Sequence, residues 1–201
     1  MKHTVTLIPG EGIGPEICLA MQRLVDATGV EIEWELAYAG QVALDMGFDD
    51  VLPQATIDSI RKNKVAIKGP IGTPKGTGFT SVNVGMREAL NLHTNIRPIQ
   101  TYVGVPSHHT NVDLVVVRQN TEDVYVATEK VVQENPRIIE TTYRTSEVAC
   151  EKIARAAFEY AKQHNRKKVT AFAKSNIIKL SHGLFEEMFL AVATEYPDIE
   201  H

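Results

Sequence analysis

Between Ser81 and Tyr125 the chain places three arginines in polar company: Ser81-x-Asn83-x-x-x-Arg87, Asn95-x-Arg97-Pro98 and Arg118-x-Asn120-x-Glu122-Asp123-x-Tyr125. A planar guanidinium grips a carboxylate through two bonds at once, which an ammonium cannot do. The neighbouring hydroxyl, amide and phenol add neutral donors, and the combination asks for a small di- or tricarboxylate. A lone arginine is more often solvated, or held in a surface ion pair worth about 0–1 kcal/mol, so position has to decide. Arg118 follows the apolar run 113–117, which reads as a buried parallel strand, and ligands of α/β proteins gather at the carboxyl ends of such strands. Arg97 precedes a proline, which drives its backbone toward an extended conformation.

The elements that must position these groups can be read in order. A strand at 5–8 leads through Pro9-Gly10-Glu11-Gly12-Ile13-Gly14-Pro15 into a helix over 16–28, with Pro15 suited to a first helical position and Glu16 to the positive end of the helix dipole. The spacing is Gly-x-Gly-x-Gly-Pro, not the Gly-x-Gly-x-x-Gly of a dinucleotide fingerprint. The match is therefore weak, although Glu31 and Glu33 lie about the right distance downstream for a ribose contact. An extended piece at 31–39, a helix at 53–63 carrying Ile57 and Ile60, and a strand at 65–68 complete the ingredients of a parallel α/β layer. Residues 75–78 have no regular pattern and are expected to form a mobile loop. A serine at position 81 suits an N-cap.

Beyond Arg118 the alternation of Val131, Val132, Ile138 and Ile139 predicts a two-stranded hairpin over about 128–142, with Asn135-Pro136 at its tip. A helix over 146–164 turns Glu151, Arg155, Glu159 and Lys162 outward and Ala149, Ile153, Ala156, Ala157 and Tyr160 inward. Arg166-Lys167-Lys168 reads as a solvated loop before a strand at 169–173. Lys174 stands at the end of that strand, and a last helix spans about 180–196.

With 43% apolar residues, 23% charged residues and a net charge of -4, the composition is that of a soluble enzyme. It offers no basic footprint for nucleic acid and no polybasic run for a membrane surface. No apolar run approaches the roughly 18 residues that span a bilayer. Cys18 and Cys150 lie in helical patterns as small buried hydrophobes, which fits a reducing cytoplasm.

Taken with Lys174-Ser175-Asn176-Ile177, the three arginine motifs resemble the isocitrate and isopropylmalate dehydrogenase family of metal-dependent β-decarboxylating dehydrogenases, from Thr4 almost to His201. Ser81 and Asn83, ahead of the first arginine, resemble its isocitrate branch, where the hydroxyl and amide take the third carboxylate. Homoisocitrate, isopropylmalate and tartrate enzymes are the alternatives. The resemblance implies an α/β, non-Rossmann, two-domain fold. Residues 1–98 would be the first part of an incomplete large domain, and 99–201 a small domain whose hairpin clasps that of a second copy in a homodimer.

By the same resemblance Ser81, Asn83, Arg87, Arg97 and Arg118 bind an isocitrate-like polycarboxylate. Lys174, desolvated and reaching in from the neighbouring subunit, takes the hydroxyl proton, and Tyr125 returns a proton to carbon. Lys68, Thr73 and Asn176 border the nicotinamide cofactor, NAD or NADP. Gln119 departs from the family's usual glutamate and is expected to weaken an ion pair that orients Arg118. The Mg or Mn ligands and the adenosine loop are expected outside this chain. The implied activity, oxidative decarboxylation of isocitrate to 2-oxoglutarate, is thus that of a truncated or split enzyme. The competing reading is a non-catalytic carboxylate-binding or assembly protein that keeps the pocket and the arm.

Overall fold

The computed structural model describes residues 2–73 and 81–201, and the expected loop at 75–78 lies outside them. The described chain forms two compact units, Met1–Asn91 and Leu92–His201. The expected domain junction after Pro98 lies inside a strand of the second unit.

In the first unit β1 (His3–Ile8) is flanked by β2 (Ile32–Leu36) and β3 (Ala66–Lys68), both parallel to it, in the order β2-β1-β3. Being central, β1 buries Val5 through Ile8 completely or nearly so. Its one buried hydroxyl, on Thr6, is satisfied by Ser59 Oγ at 2.7 Å and by the Asn63 amide at 2.9 Å, both on α3 (Gln54–Asn63). Parallel neighbours need long crossovers. Here these are α1 (Gly14–Asp26), which has Pro15 in its first turn, and the pair α2 (Gln41–Asp45) and α3. Ile8, Ala37, Ala39, Ile57 and Ile71 form a core with Val82 and Met86 of α4 (Val82–Ala89).

In the second unit β4 (Thr94–Gln100) pairs antiparallel with β5 (Asp113–Gln119). The expectation of a buried parallel strand at 113–117 is thus corrected. An apolar run reads alike in either setting, but β4 is the only ladder partner of β5 among the described residues. Packing against α5 (Glu147–Gln163) leaves Val115 and Val117 half-buried, while Leu114 and Val116 are 47% and 41% exposed. The hairpin forms as expected from β6 (Thr128–Glu134) and β7 (Arg137–Thr142), with an irregularity between Val131 and Gln133.

The core of this unit lies between α5 and α6 (Ser181–Ala193). Phe158 is fully buried, stacked on Tyr196 at 5.1 Å and tilted on Phe189 at 5.3 Å. The buried stripe of α5 runs through Ala149, Cys150, Ile153, Ala154, Phe158 and Ala161, while Ala156, Ala157 and Tyr160 are only half-buried. The stripe is rotated from the one expected because a phenylalanine removes far more apolar surface from water than an alanine and so turns the helix toward itself. The expected strand at 169–173 does not form. Its ladder is a single bridge, Lys168 to Glu200, and Phe172 is 95% exposed.

Phe158→Ala should cost about 3–5 kcal/mol in urea unfolding followed by circular dichroism, the range for deleting a fully buried aromatic ring; an unchanged midpoint would remove Phe158 as the anchor of this core. A second expectation concerns acid. The Glu35 carboxyl is held down to about 2, from an ordinary 4.5, chiefly by the hydrogen bond from Lys62 at 2.8 Å. A depressed carboxyl contributes stability that is complete above pH 4.5 and fades as pH falls toward 2. Lys62→Met should therefore flatten the loss of stability across that window, read by unfolding at a series of pH values.

Candidate active site

The loop after β1 packs against the loop after β3 at Gly10 and leaves Gly12 and Ile13 exposed. Gly10, at φ 76°, brings its Cα so close to the next loop that a Cβ would stand 2.1 Å from the Pro70 carbonyl oxygen. The Glu11 N–H is already donated to that oxygen at 2.7 Å. The Glu11 side chain points the other way and accepts from the backbone N–H of Gln41 at 2.6 Å and of Gly72 at 2.8 Å. Gly40, at φ 85°, makes room for it, since a Cβ there would lie 2.1 Å from Oε1. One carboxylate thus joins the loops that follow β1, β2 and β3 at the carboxyl end of the parallel sheet.

That end carries Lys68 and Thr73, both exposed. The Lys68 amine donates to the Gly69 carbonyl at 2.6 Å and is pulled below the ordinary lysine range, first by desolvation of the amine and then by the charge of Arg87. Val82 and Met86 anchor α4 in the core, so Asn83 and Arg87, one helical turn apart, share another face and are half-buried. Asn83 Nδ2 donates to the Ile71 carbonyl at 3.5 Å. Ser81 sits at the N-cap position, but its hydroxyl makes no capping bond, so the capping role is not found.

In the second unit the β4–β5 register sets Asn95 opposite Arg118 and Arg97 opposite Val116. Directly opposed residues point to the same face, as do residues two apart on one strand. Asn95, Arg97 and Arg118 therefore share one face, with Arg97 Nε donating to Asn95 Oδ1 at 3.1 Å and the Arg118 guanidinium 5.0 Å from the Tyr125 ring centre.

Gln119 points elsewhere, so the expectation that it bears on an Arg118 ion pair is corrected. Its Oε1 accepts from Thr121 N and Glu122 N, each at 3.1 Å, and its Nε2 donates to Thr121 Oγ1 at 2.8 Å. Glu122 in turn accepts from Ser146 N at 2.8 Å and Ser146 Oγ at 2.7 Å, and Ser146 caps α5 by accepting from Ala149 N. Asp123, at φ 61°, turns the chain into the 3-10 segment Asp123–Val126 that carries Tyr125. The Cys150 thiol, one turn into α5, is pushed up to about 11 by burial and then by Glu122.

Lys174 and Asn176 lie on an exposed turn before α6, and the burial expected around the lysine amine is not supplied by the described residues. The Lys174 N–H donates to His182 Nδ1 at 2.8 Å. Glu11 and His182 were missed as organising residues because each acts through backbone atoms distant in sequence, and no local pattern marks that. Among the described residues no three His, Cys, Asp or Glu side chains gather as a cation site, and no helix is long and apolar enough to cross a membrane.

Residues 4–201 match the family described as isocitrate/isopropylmalate dehydrogenase. The chain is 41% identical over 201 residues to the NADP isocitrate dehydrogenase of Thermus thermophilus, covering 99% of this chain and 40% of that protein. It is 42% identical over 197 residues to the mitochondrial regulatory subunit 2 of the NAD isocitrate dehydrogenase of Arabidopsis thaliana, covering 98% and 52%. The crystal structure of isocitrate dehydrogenase from Methylococcus capsulatus superposes with a TM-score of 0.92 at 44% identity, over 98% of this chain and 59% of that one. The chain spans about half the length of the curated relatives it matches.

Glu11→Ala deletes the acceptor of two N–H groups and should cost about 2–4 kcal/mol, given roughly 1.5–3 kcal/mol for a hydrogen bond to a charged group and partial replacement by water. Glu11→Gln, which keeps one acceptor, should cost less than half of that. The single Trp34, in β2, reports the unfolding by fluorescence; equal midpoints for wild type and Glu11→Ala would deny the carboxylate its joining role.

Proposed function

This chain belongs to the isocitrate/isopropylmalate dehydrogenase family, and from that we propose that it supplies the carboxylate-binding and proton-transfer residues for oxidative decarboxylation of isocitrate to 2-oxoglutarate. The observation that carries the reading is the shared face of Asn95, Arg97 and Arg118, with Tyr125 under Arg118. Paired guanidiniums on one rigid sheet face fit a molecule bearing several carboxylates and hold it in one orientation, which lowers the barrier by fixing geometry beforehand. Ser81, Asn83 and Arg87 act on the substrate as well, the hydroxyl and amide of the first two taking the carboxylate that distinguishes isocitrate from its homologues.

A bound nicotinamide, NAD or NADP, supplies the hydride acceptor, and Lys68, Thr73 and Asn176 border it. Lys174 Nζ takes the proton of the substrate hydroxyl as the hydride leaves C2. After the β-carboxylate departs as carbon dioxide, Tyr125 Oη gives a proton to the carbon that held it. A divalent cation, Mg or Mn, belongs to this chemistry, but the described residues gather no site for it. The apolar, exposed β6–β7 ribbon supports assembly as a homodimer through that arm. The buried free cysteines fit the cytoplasm, although several relatives are named mitochondrial.

A second reading is favoured by relatives named regulatory subunits, at 42–43% identity. In it the chain binds isocitrate or citrate without turning it over and assembles with a catalytic partner. The discriminating experiment supplies isocitrate, Mg and either NAD or NADP and follows the reduced cofactor, with citrate binding measured by calorimetry alongside. Isocitrate-dependent reduction supports the first reading, citrate binding without reduction the second, and neither signal overturns both. Arg97→Ala should weaken citrate binding by at least tenfold, about 1.4 kcal/mol or more, with its unfolding midpoint unchanged. Tyr125→Phe should lower kcat without altering the midpoint; a lower midpoint would make Tyr125 a packing residue.

A further inference from the structure

We propose that His182 is the positioning residue for Lys174, an inference that rests on reading Lys174 as the proton acceptor of the reaction. Thr170 to Ala173 make no backbone hydrogen bond among the described residues, and the last backbone anchor before Lys174 is Val169 N on Glu200 O at 2.9 Å. A lysine carries its amine on a flexible four-carbon stem, so the amine can be aimed only as well as its own backbone is held.

At Lys174 the backbone is gripped on both sides. Its carbonyl accepts from Ile177 N at 3.1 Å and Ile178 N at 2.9 Å, which closes the turn. Its N–H is donated not to a strand but to the Nδ1 of His182, in the first turn of α6, at 2.8 Å. The same turn is tied in by His182 N, which donates to Ile178 O at 3.2 Å.

The direction of the bond sets the chemistry of the ring. A nitrogen that accepts from a backbone N–H must carry its lone pair, so Nδ1 is unprotonated and the ring proton sits on Nε2. An imidazolium or the other tautomer would present N–H to N–H and release Lys174. Only a side chain with an acceptor near the Nδ1 position can serve. Asparagine meets that requirement and phenylalanine, of similar ring size, does not.

The test uses the 201-residue chain as wild type, His182→Phe and His182→Asn. Imidazole nitrogen chemical shifts in the wild type should show Nδ1 unprotonated; a protonated Nδ1 overturns the proposal whatever the variants do. Hydrogen exchange at the Lys174 amide should be about tenfold faster in His182→Phe and return to near the wild-type rate in His182→Asn, with unfolding midpoints unchanged. Equal exchange in wild type and His182→Phe overturns the anchor. Where isocitrate turnover is measured, His182→Phe should lower kcat about tenfold with KM unchanged, and His182→Asn should restore it. A kcat deficit that asparagine fails to restore assigns His182 to packing instead. The exchange measurement decides the anchor whether or not the chain turns over isocitrate.

Discussion

In the loops that bear this chain's candidate residues, side chains repeatedly serve as acceptors for backbone N–H groups. Glu11 receives Gln41 and Gly72, Gln119 receives Thr121 and Glu122, Glu122 receives Ser146, and His182 receives Lys174. Several candidate residues stand at the ends of regular elements: Lys68 closes β3 and Arg118 is the last residue but one of β5. Side-chain acceptors extend order past the ends of those elements. The carboxylates among them contribute more per bond than a neutral partner, roughly 1.5–3 kcal/mol against about 1 kcal/mol.

The exception is the pair of arginines built directly into a ladder. Alternation along β4 and β5 gives each strand one face toward α5 and one away from it. Val115 and Val117 take the first, while Arg97, Arg118 and Asn95 take the second. The two demands are met by one register, and a slip of a single residue would exchange them. Because the guanidiniums stay in water on an exposed face, they carry no desolvation penalty of the kind that a buried charge must offset with a partner. Among the described residues Arg118 has only the Tyr125 ring beside it at cation–π distance.

Much of this was legible in the chain itself. Period and punctuation located β1, α1, α3, the hairpin and α5, and the arginine, tyrosine and lysine motifs identified the family. What failed did so for definite physical reasons. The run 113–117 is apolar enough for a buried parallel strand, but burial depends on neighbours and not on the run. Residues 169–173 have strand composition, yet a strand exists only as half of a ladder, and only Lys168 finds a partner. Ser81 has the right residue type for a cap, but its hydroxyl does not make the bond. Gln119 was judged by charge alone, whereas its amide is used as both donor and acceptor, a pairing visible only once Thr121 has folded back on it.

The ribbon β6–β7 carries the same logic one step outward. Every residue of both strands is exposed, including Val131, Val132, Ile138 and Ile139 at 42–51%. A two-stranded ribbon in water is marginal, since ordering each residue costs about 1–2 kcal/mol of backbone entropy and neither face here recovers it by burial within the described chain. Apolar side chains on both strands suit the like ribbon of the proposed homodimer. The connection to the site is short. Tyr125 lies in the 3-10 segment that ends at Val126, and β6 begins at Thr128. A ribbon frayed from its first residue would loosen the segment that holds the Tyr125 ring against Arg118, whereas a ribbon fixed by a partner would tighten it. The proposed assembly and the proposed proton donor would be coupled through that junction.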